Sequence, residues 1–241
     1  MKNFRIIPRL EVKTKNLIKG MQMEGLRKIG CPINFSKKYL SEMADEIFYD
    51  DIVASLYNRP YDLEIINKIS ENLNIPLVVG GGIKSLSAAR EVFKNGADRV
   101  SVNSAALTKP SLIQQIAQVY GSQSISAQLQ IKRLDNRYEV FGERGRIRNN
   151  IELFDWINTV QNLGVGEIIC IFIDRDGMRG IADIEILKKI RKQVRVQLIY
   201  GGGTSKYEEI KLINNLGFNG ICMSRSLHFN ELKLINIKKD N

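Results

Sequence analysis

Two glycine triplets carry the clearest chemistry in this 241-residue chain. Gly80-Gly81-Gly82 ends the apolar run Ile75-Pro76-Leu77-Val78-Val79, and Gly201-Gly202-Gly203 ends Val196-Gln197-Leu198-Ile199-Tyr200. Each triplet is followed by a helical pattern, residues 88–95 and 206–216, and then by a second apolar run ending in Asn103-Ser104 or Ser224-Arg225. Glycine lets backbone N–H groups approach an anion closely, and a following helix N-terminus adds favourable partial charge. One such turn is satisfied by plain chain reversal. Two in register predict a ligand with a phosphate at each end, held by Gly81, Gly82, Asn103 and Ser104 on one side and by Gly202, Gly203, Ser224 and Arg225 on the other.

The elements that must position these turns repeat. An offset of 121 residues carries Gly80 onto Gly201, Gly96 onto Gly217 and Asn103 onto Ser224, and an offset of 119 carries Ile6 to Lys13 onto Ile125 to Lys132. The repeat predicts two fused halves, about 1–120 and 121–241, forming one domain, because a four-strand half alone would leave sheet edges uncovered. Strand-like runs fall at about 5–12, 46–53, 76–80, 98–102, 124–131, 167–173, 195–200 and 219–224, with helical periods between most of them. Eight strands alternating with helices predict an α/β fold, a closed (βα)₈ TIM barrel with its chemistry at the C-terminal strand ends. Two connections are longer than plain turns: residues 13–30, read as a lid or binding loop containing Lys19, and residues 133–148, with a turn at Asp135-Asn136 and strand-like Tyr138 to Phe141.

Composition narrows the function classes. No apolar run approaches the roughly 18 residues of a membrane span, and Met1 to Arg5 leads directly into a strand, so a soluble cytoplasmic protein is expected. Cys31, Cys170 and Cys222 lack metal-ligand spacing, and His228 is the single histidine, which leaves little material for a zinc site or a histidine-based triad. No metal and no cofactor are expected. The net charge of +10 is scattered rather than clustered, which argues against nucleic acid as the partner.

Arg5-Ile6-Ile7-Pro8, Val79-Gly80-Gly81-Gly82-Ile83, Gly96-Ala97-Asp98, Asn103-Ser104-Ala105-Ala106, Arg137-Tyr138-Glu139-Val140, Gly166-Glu167-Ile168 and Asp174-Arg175-Asp176-Gly177 together resemble the cyclase subunit of imidazole glycerol phosphate synthase. That resemblance spans almost the whole chain. It implies a (βα)₈ barrel that receives ammonia from a glutaminase docked on its lower face and uses it at the upper face. It also implies a pair of catalytic aspartates at the ends of the first and fifth strands, where this chain has Glu11 and Gln130. Glu11 keeps a carboxylate one methylene longer, whereas Gln130 cannot exchange a proton at useful pH.

Other positions divide by face. Lys19, Asp51, Asp176 and Gly177 match the family at the upper mouth, while Arg9, Ile171, Gly201 and Arg225 depart from it, and Arg225 there either strengthens anion binding or fills the pocket. At the lower face, Arg5, Glu46, Arg99 and Glu167 match the family's ring of gate charges, and Asp45, Asp98 and Gln123 match positions that face the glutaminase, so they are expected to lie exposed as docking contacts. The ring residues alone would also suit a structural salt-bridge ring.

Three readings follow. The first is an ammonia-transfer subunit paired with a glutaminase and serving sugar or surface-polysaccharide amidation, with a sugar amidotransferase as a further partner and with impaired cyclase activity; the loop Leu56-Tyr57-Asn58-Arg59 and the replaced catalytic pair motivate it. The second is a working cyclase subunit of histidine biosynthesis. The third is a scaffold barrel without catalysis.

Overall fold

The computed structural model describes residues 4–54, 62–135 and 137–240. β1 (Arg5–Lys13) is followed by a hairpin of β2 (Asn16–Met21) and β3 (Glu24–Gly30), then by α1 (Pro32–Ser41). β4 (Ile47–Asp51), α2 (Leu63–Ser70), β5 (Leu77–Gly80), α3 (Leu86–Lys94), β6 (Arg99–Val102), α4 (Ser104–Thr108) and α5 (Ser111–Tyr120) follow. The second half runs through β7 (Ile125–Leu134), β8 (Arg137–Gly142), β9 (Ile147–Glu152), α6 (Leu153–Asn162), β10 (Glu167–Phe172), α7 (Ile184–Gln193), β11 (Gln197–Gly201), α8 (Tyr207–Asn215), β12 (Gly220–Met223), α9 (Arg225–His228) and α10 (Leu234–Asp240).

β1, β4, β5, β6, β7, β10, β11 and β12 pair in parallel in that order, and β12 pairs back onto β1. The sheet therefore closes into the expected (βα)₈ barrel, and closure removes the free edges that an open sheet would expose. Side chains along a strand alternate between its faces, which produces two apolar layers. Ile6, Leu10, Ile47, Tyr49, Leu77 and Val79 pack outward with the helices, whereas Ile7, Phe48, Val78, Ile169, Ile199 and Cys222 form a separate cluster inside the barrel.

Local chemistry fixes the helix starts. Asp62, Ser85, Glu152 and Asp183 each accept a hydrogen bond from a backbone N–H of the first turn that follows, which satisfies donors with no partner inside the helix. The first long connection differs from the loop expected there. It is the β2–β3 hairpin, with β2 paired antiparallel to the end of β1, so its backbone groups are satisfied by a ladder. The second is also a hairpin, since β7 continues to Leu134 and pairs antiparallel with β8, which pairs with β9. Asn136, in the turn expected there, and the Leu56-Tyr57-Asn58-Arg59 segment lie outside the described residues.

Candidate active site

Strand alternation places Arg5, Ile7, Arg9 and Glu11 of β1 on the inner face at successive heights. At the lower end Arg5 donates to Glu46 Oε2 at 2.9 Å and to Glu167, and Arg99 donates to Glu46 Oε2 at 3.1 Å and Glu167 Oε1 at 3.2 Å. Ser126 Oγ adds a bond to Glu167 Oε1 at 3.0 Å. The four charges form one closed ring. Burial and the neighbouring Glu167 push the Glu46 carboxyl above its ordinary range, opposed by the two arginines.

Halfway up, Arg9 donates from Nε and Nη2 to Asp50 Oδ2, at 3.0 and 2.7 Å, and Gln128 Nε2 donates to the same oxygen at 3.0 Å. The Arg9 guanidinium also lies over the Phe48 ring, 5.9 Å from its centroid. Burial opposes its charge, but Asp50, Glu11 and Asp176 outweigh burial and hold it protonated.

At the upper mouth Lys19, on β2, donates to Glu11 and to Asp176 Oδ1 and Oδ2 at 2.9 and 3.0 Å, all three side chains being buried. Burial alone would raise the Glu11 pKa, yet Lys19, Arg9 and Arg144 bring it down to about 2. Glu11 is therefore an anion across the working pH range. Gln130 is differently engaged: its Oε1 accepts from the Gly145 N–H at 3.1 Å and anchors the turn after β8. That turn carries Arg144 in the left-handed region at φ 61° and buries its guanidinium against the Met23 carbonyl at 2.7 Å. The two positions thus differ: Glu11 is an ion-paired carboxylate, and Gln130 is an amide bonded to the backbone.

A pocket opens on each side of this cluster. The first is lined by Asp51, Gly81, Gly82, Asn103, Ser104, Gln130 and Arg144 among others. Gly81 sits at φ +85°, and a Cβ there would meet the Asp51 carbonyl oxygen at 1.9 Å, so no other residue fits the turn. Ser101 Oγ and Asn103 Oδ1 are buried there without a hydrogen-bond partner among the described residues. The second pocket is lined by Lys19, Asp176, Gly177, Gly202, Gly203, Ser224 and Arg225 together with Thr204, whose buried Oγ1 likewise lacks a partner among the described residues. Buried polar atoms without partners are costly in a folded chain, and both pockets could meet that need with a polar ligand. Arg225 lines the rim of the second pocket but turns away to Glu231, donating to Oε1 at 2.7 Å.

The docking residues divide. Asp98 and Gln123 lie exposed beside the ring. Asp98 Oδ2 accepts from the Leu77 N–H at 2.8 Å, and the Gln123 carbonyl accepts from Arg99 Nε at 3.0 Å. Asp45 departs from the expected exposure. It is half-buried, ion-paired with Lys238 at 2.6 Å and bonded to the Ile6 N–H at 2.7 Å, because α10 folds back across it.

Asp50, Gln128, Arg144, Ser101, Thr204 and Glu231 are site residues that the sequence reading did not single out. A signal existed for one pair: the 119-residue offset carries Arg9 onto Gln128, and both reach Asp50. His228 has a structural role. Its Nε2–H donates to the Arg9 carbonyl at 3.1 Å, so Nδ1 accepts from the Tyr39 hydroxyl at 2.6 Å.

Residues 5–233 match the family described as histidine biosynthesis protein. Among curated relatives, the chain is 41% identical over 210 residues to imidazole glycerol phosphate synthase subunit HisF of Legionella pneumophila, covering 87% of this chain and 99% of the relative. It is 42% identical over 206 residues to the protein of the same name from Chlorobium limicola, covering 86% and 82%. To that from Alkaliphilus metalliredigens it is 37% identical over 237 residues, covering 98% and 94%.

Proposed function

This chain belongs to the histidine biosynthesis protein family, as a cyclase-like barrel similar to subunit HisF, and we propose that it is the ammonia-accepting synthase subunit of a glutamine-dependent pair of the imidazole glycerol phosphate synthase type. In this reading a phosphorylated ligand spans the two pockets, a glutaminase docks below the Arg5–Glu46–Arg99–Glu167 ring, and ammonia is used beside Glu11. The observation that carries it is the arrangement of two polar pockets on either side of the buried Glu11–Lys19–Asp176 cluster. The names of the relatives favour the cyclase reaction. They lend no support to sugar or polysaccharide amidation.

The proton chemistry differs from that of a paired carboxylate. With Lys19, Arg9 and Arg144 around it, Glu11 stays ionised and serves as the base, while the ammonium of Lys19, in direct contact with it, is the available acid. A base held this far below neutral pH is weak, so the chemical step is slow. Gln130 takes no part in proton transfer and holds the Gly145 turn over the ligand. The scaffold reading has no use for two pockets lined by Gly82, Ser104, Gly203 and Ser224 at matched strand ends.

The test is to supply the purified protein with an ammonium salt and the family's cyclase substrate and to follow imidazole glycerol phosphate. Slow turnover that disappears in Glu11→Gln supports the proposal. Absence of turnover together with absence of substrate binding overturns it.

A further inference from the structure

Between the lower ring and the upper mouth the barrel axis is filled. Above the ring lies the apolar collar of Ile7, Phe48, Val78, Ile169 and Ile199, each at most 2% exposed. Above the collar lies Arg9 with Asp50 and Gln128, 3%, 3% and 4% exposed. The glycines at this height leave no slack: a Cβ on Gly80 would meet Phe48 Cε2 at 2.8 Å and Asp50 Oδ1 at 3.1 Å, and one on Gly201 would meet Ile171 Cδ1 at 2.5 Å. Gly80 and Gly201 thus make room for neighbouring side chains rather than for a passage.

We propose that Arg9 is a plug across the barrel axis, closed on Asp50 and opened when its guanidinium swings up to the carboxylates of the mouth. The inference rests on the ammonia-accepting reading, because a plug matters only if something must cross. Two features make Arg9 a two-position element rather than inert filling. Its Nη1 already stands 3.6 Å from Glu11 Oε1 and 3.8 Å from Asp176 Oδ1, so an upward move exchanges one carboxylate for two others. Asp50 is not abandoned by that move, since Gln128 Nε2 remains on Oδ2. A buried ion pair that could only break would stay shut, whereas one that can trade partners can switch.

Arg9 also lines the second pocket together with Lys19 and Ser224, so an anionic group bound there draws it away from Asp50. Opening is thereby coupled to occupancy of the mouth. Ammonia released below would be held back until a phosphorylated ligand is in place, and the closed guanidinium repels ammonium by like charge. Phe48 beneath the guanidinium stabilises the closed position through its ring face.

The experiment compares the complex with its glutaminase for the native chain, Arg9→Ala and Asp50→Asn, measuring product formed with glutamine and, separately, with external ammonium. External ammonia enters at the mouth, above the plug. Bound ligand shifts Arg9 toward the open position without emptying the closed one, so both variants should raise the ratio of glutamine-supported to ammonium-supported product by about fivefold or more. An unchanged ratio overturns the plug. Failure to form the complex counts against the proposed function, and crystallography of the chain alone then decides the plug. In Arg9→Ala, ordered water running from Ile169 to Gln130 supports it, and a collapsed dry axis overturns it. Should Arg9→Ala fail to fold, Asp50→Asn answers the same question: Arg9 found on Glu11 and Asp176 supports the switch, and Arg9 still turned toward position 50 overturns it.

Discussion

Lys19 and Glu11 face each other across the first turn of the chain, β1 to β2, as a buried ion pair at the centre of the upper mouth. Between about pH 4.5 and 2 the unfolded chain binds a proton at Glu11 and the folded chain does not, so this pair's contribution is present above the unfolded pKa and lost as pH falls through the folded one. Glu11→Gln should flatten that acid branch in thermal melts recorded at stepped pH. At neutral pH it should also destabilise, because Lys19 and Arg9 lose a buried partner. An acid branch of unchanged slope would contradict the pairing.

His228 gives a second pH signature at higher pH. Burial dominates and lowers its pKa to about 3; Glu11 and the hydrogen bond to the Arg9 carbonyl pull the other way, and the positive charges of Lys19 and Lys38 offset part of that pull. From pH 6.5 down to that value the unfolded chain holds one more proton than the folded one, so stability falls with falling pH by at most about 1.4 kcal/mol per unit. His228→Gln should remove this slope in urea titrations between pH 7 and 4. Retention of the full slope would place it elsewhere.

The lower ring should respond to loss of one cation. Arg99→Ala leaves Glu46 and Glu167 buried with Arg5 alone, and should destabilise the chain by ~2 kcal/mol, less than a fully buried pair because the Arg99 side chain keeps 19% exposure. Urea unfolding at pH 7 measures it, and the loss should shrink as the pH is lowered, because the raised pKa of Glu46 lets the folded chain take up a proton before the unfolded one does.

Much of this was legible in the sequence, and what was not has a physical reason. The eight strands and both glycine turns were readable because β periodicity and positive-φ glycines are local properties. The ring was legible through the family resemblance, whose gate charges fall on Arg5, Arg99 and Glu167 at the starts of their strands and on Glu46 just before one. The Arg9–Asp50–Gln128 layer was not, since choosing Asp50 over the adjacent Asp51 requires knowing which side chain faces inward. Arg144 escaped because its positive φ is imposed by the turn that Gln130 anchors. Asp45 was misread because Lys238, the partner that covers it, lies 193 residues away.

Asp98 and Gln123 carry the partner prediction. Charge reversal of Asp98 should weaken association with the cognate glutaminase about tenfold, measured by calorimetry, while leaving the isolated barrel folded by circular dichroism. An unaltered affinity would remove Asp98 from the interface.

The most direct test of the central claim is the rate of imidazole glycerol phosphate formation from ammonium and the cyclase substrate by the native chain and by Glu11→Gln. With Glu11 as the one carboxylate of the acid–base pair, the native chain should turn over slowly and the variant should lose about a hundredfold or more. Equal rates in the two proteins, or no product from either, would contradict the account.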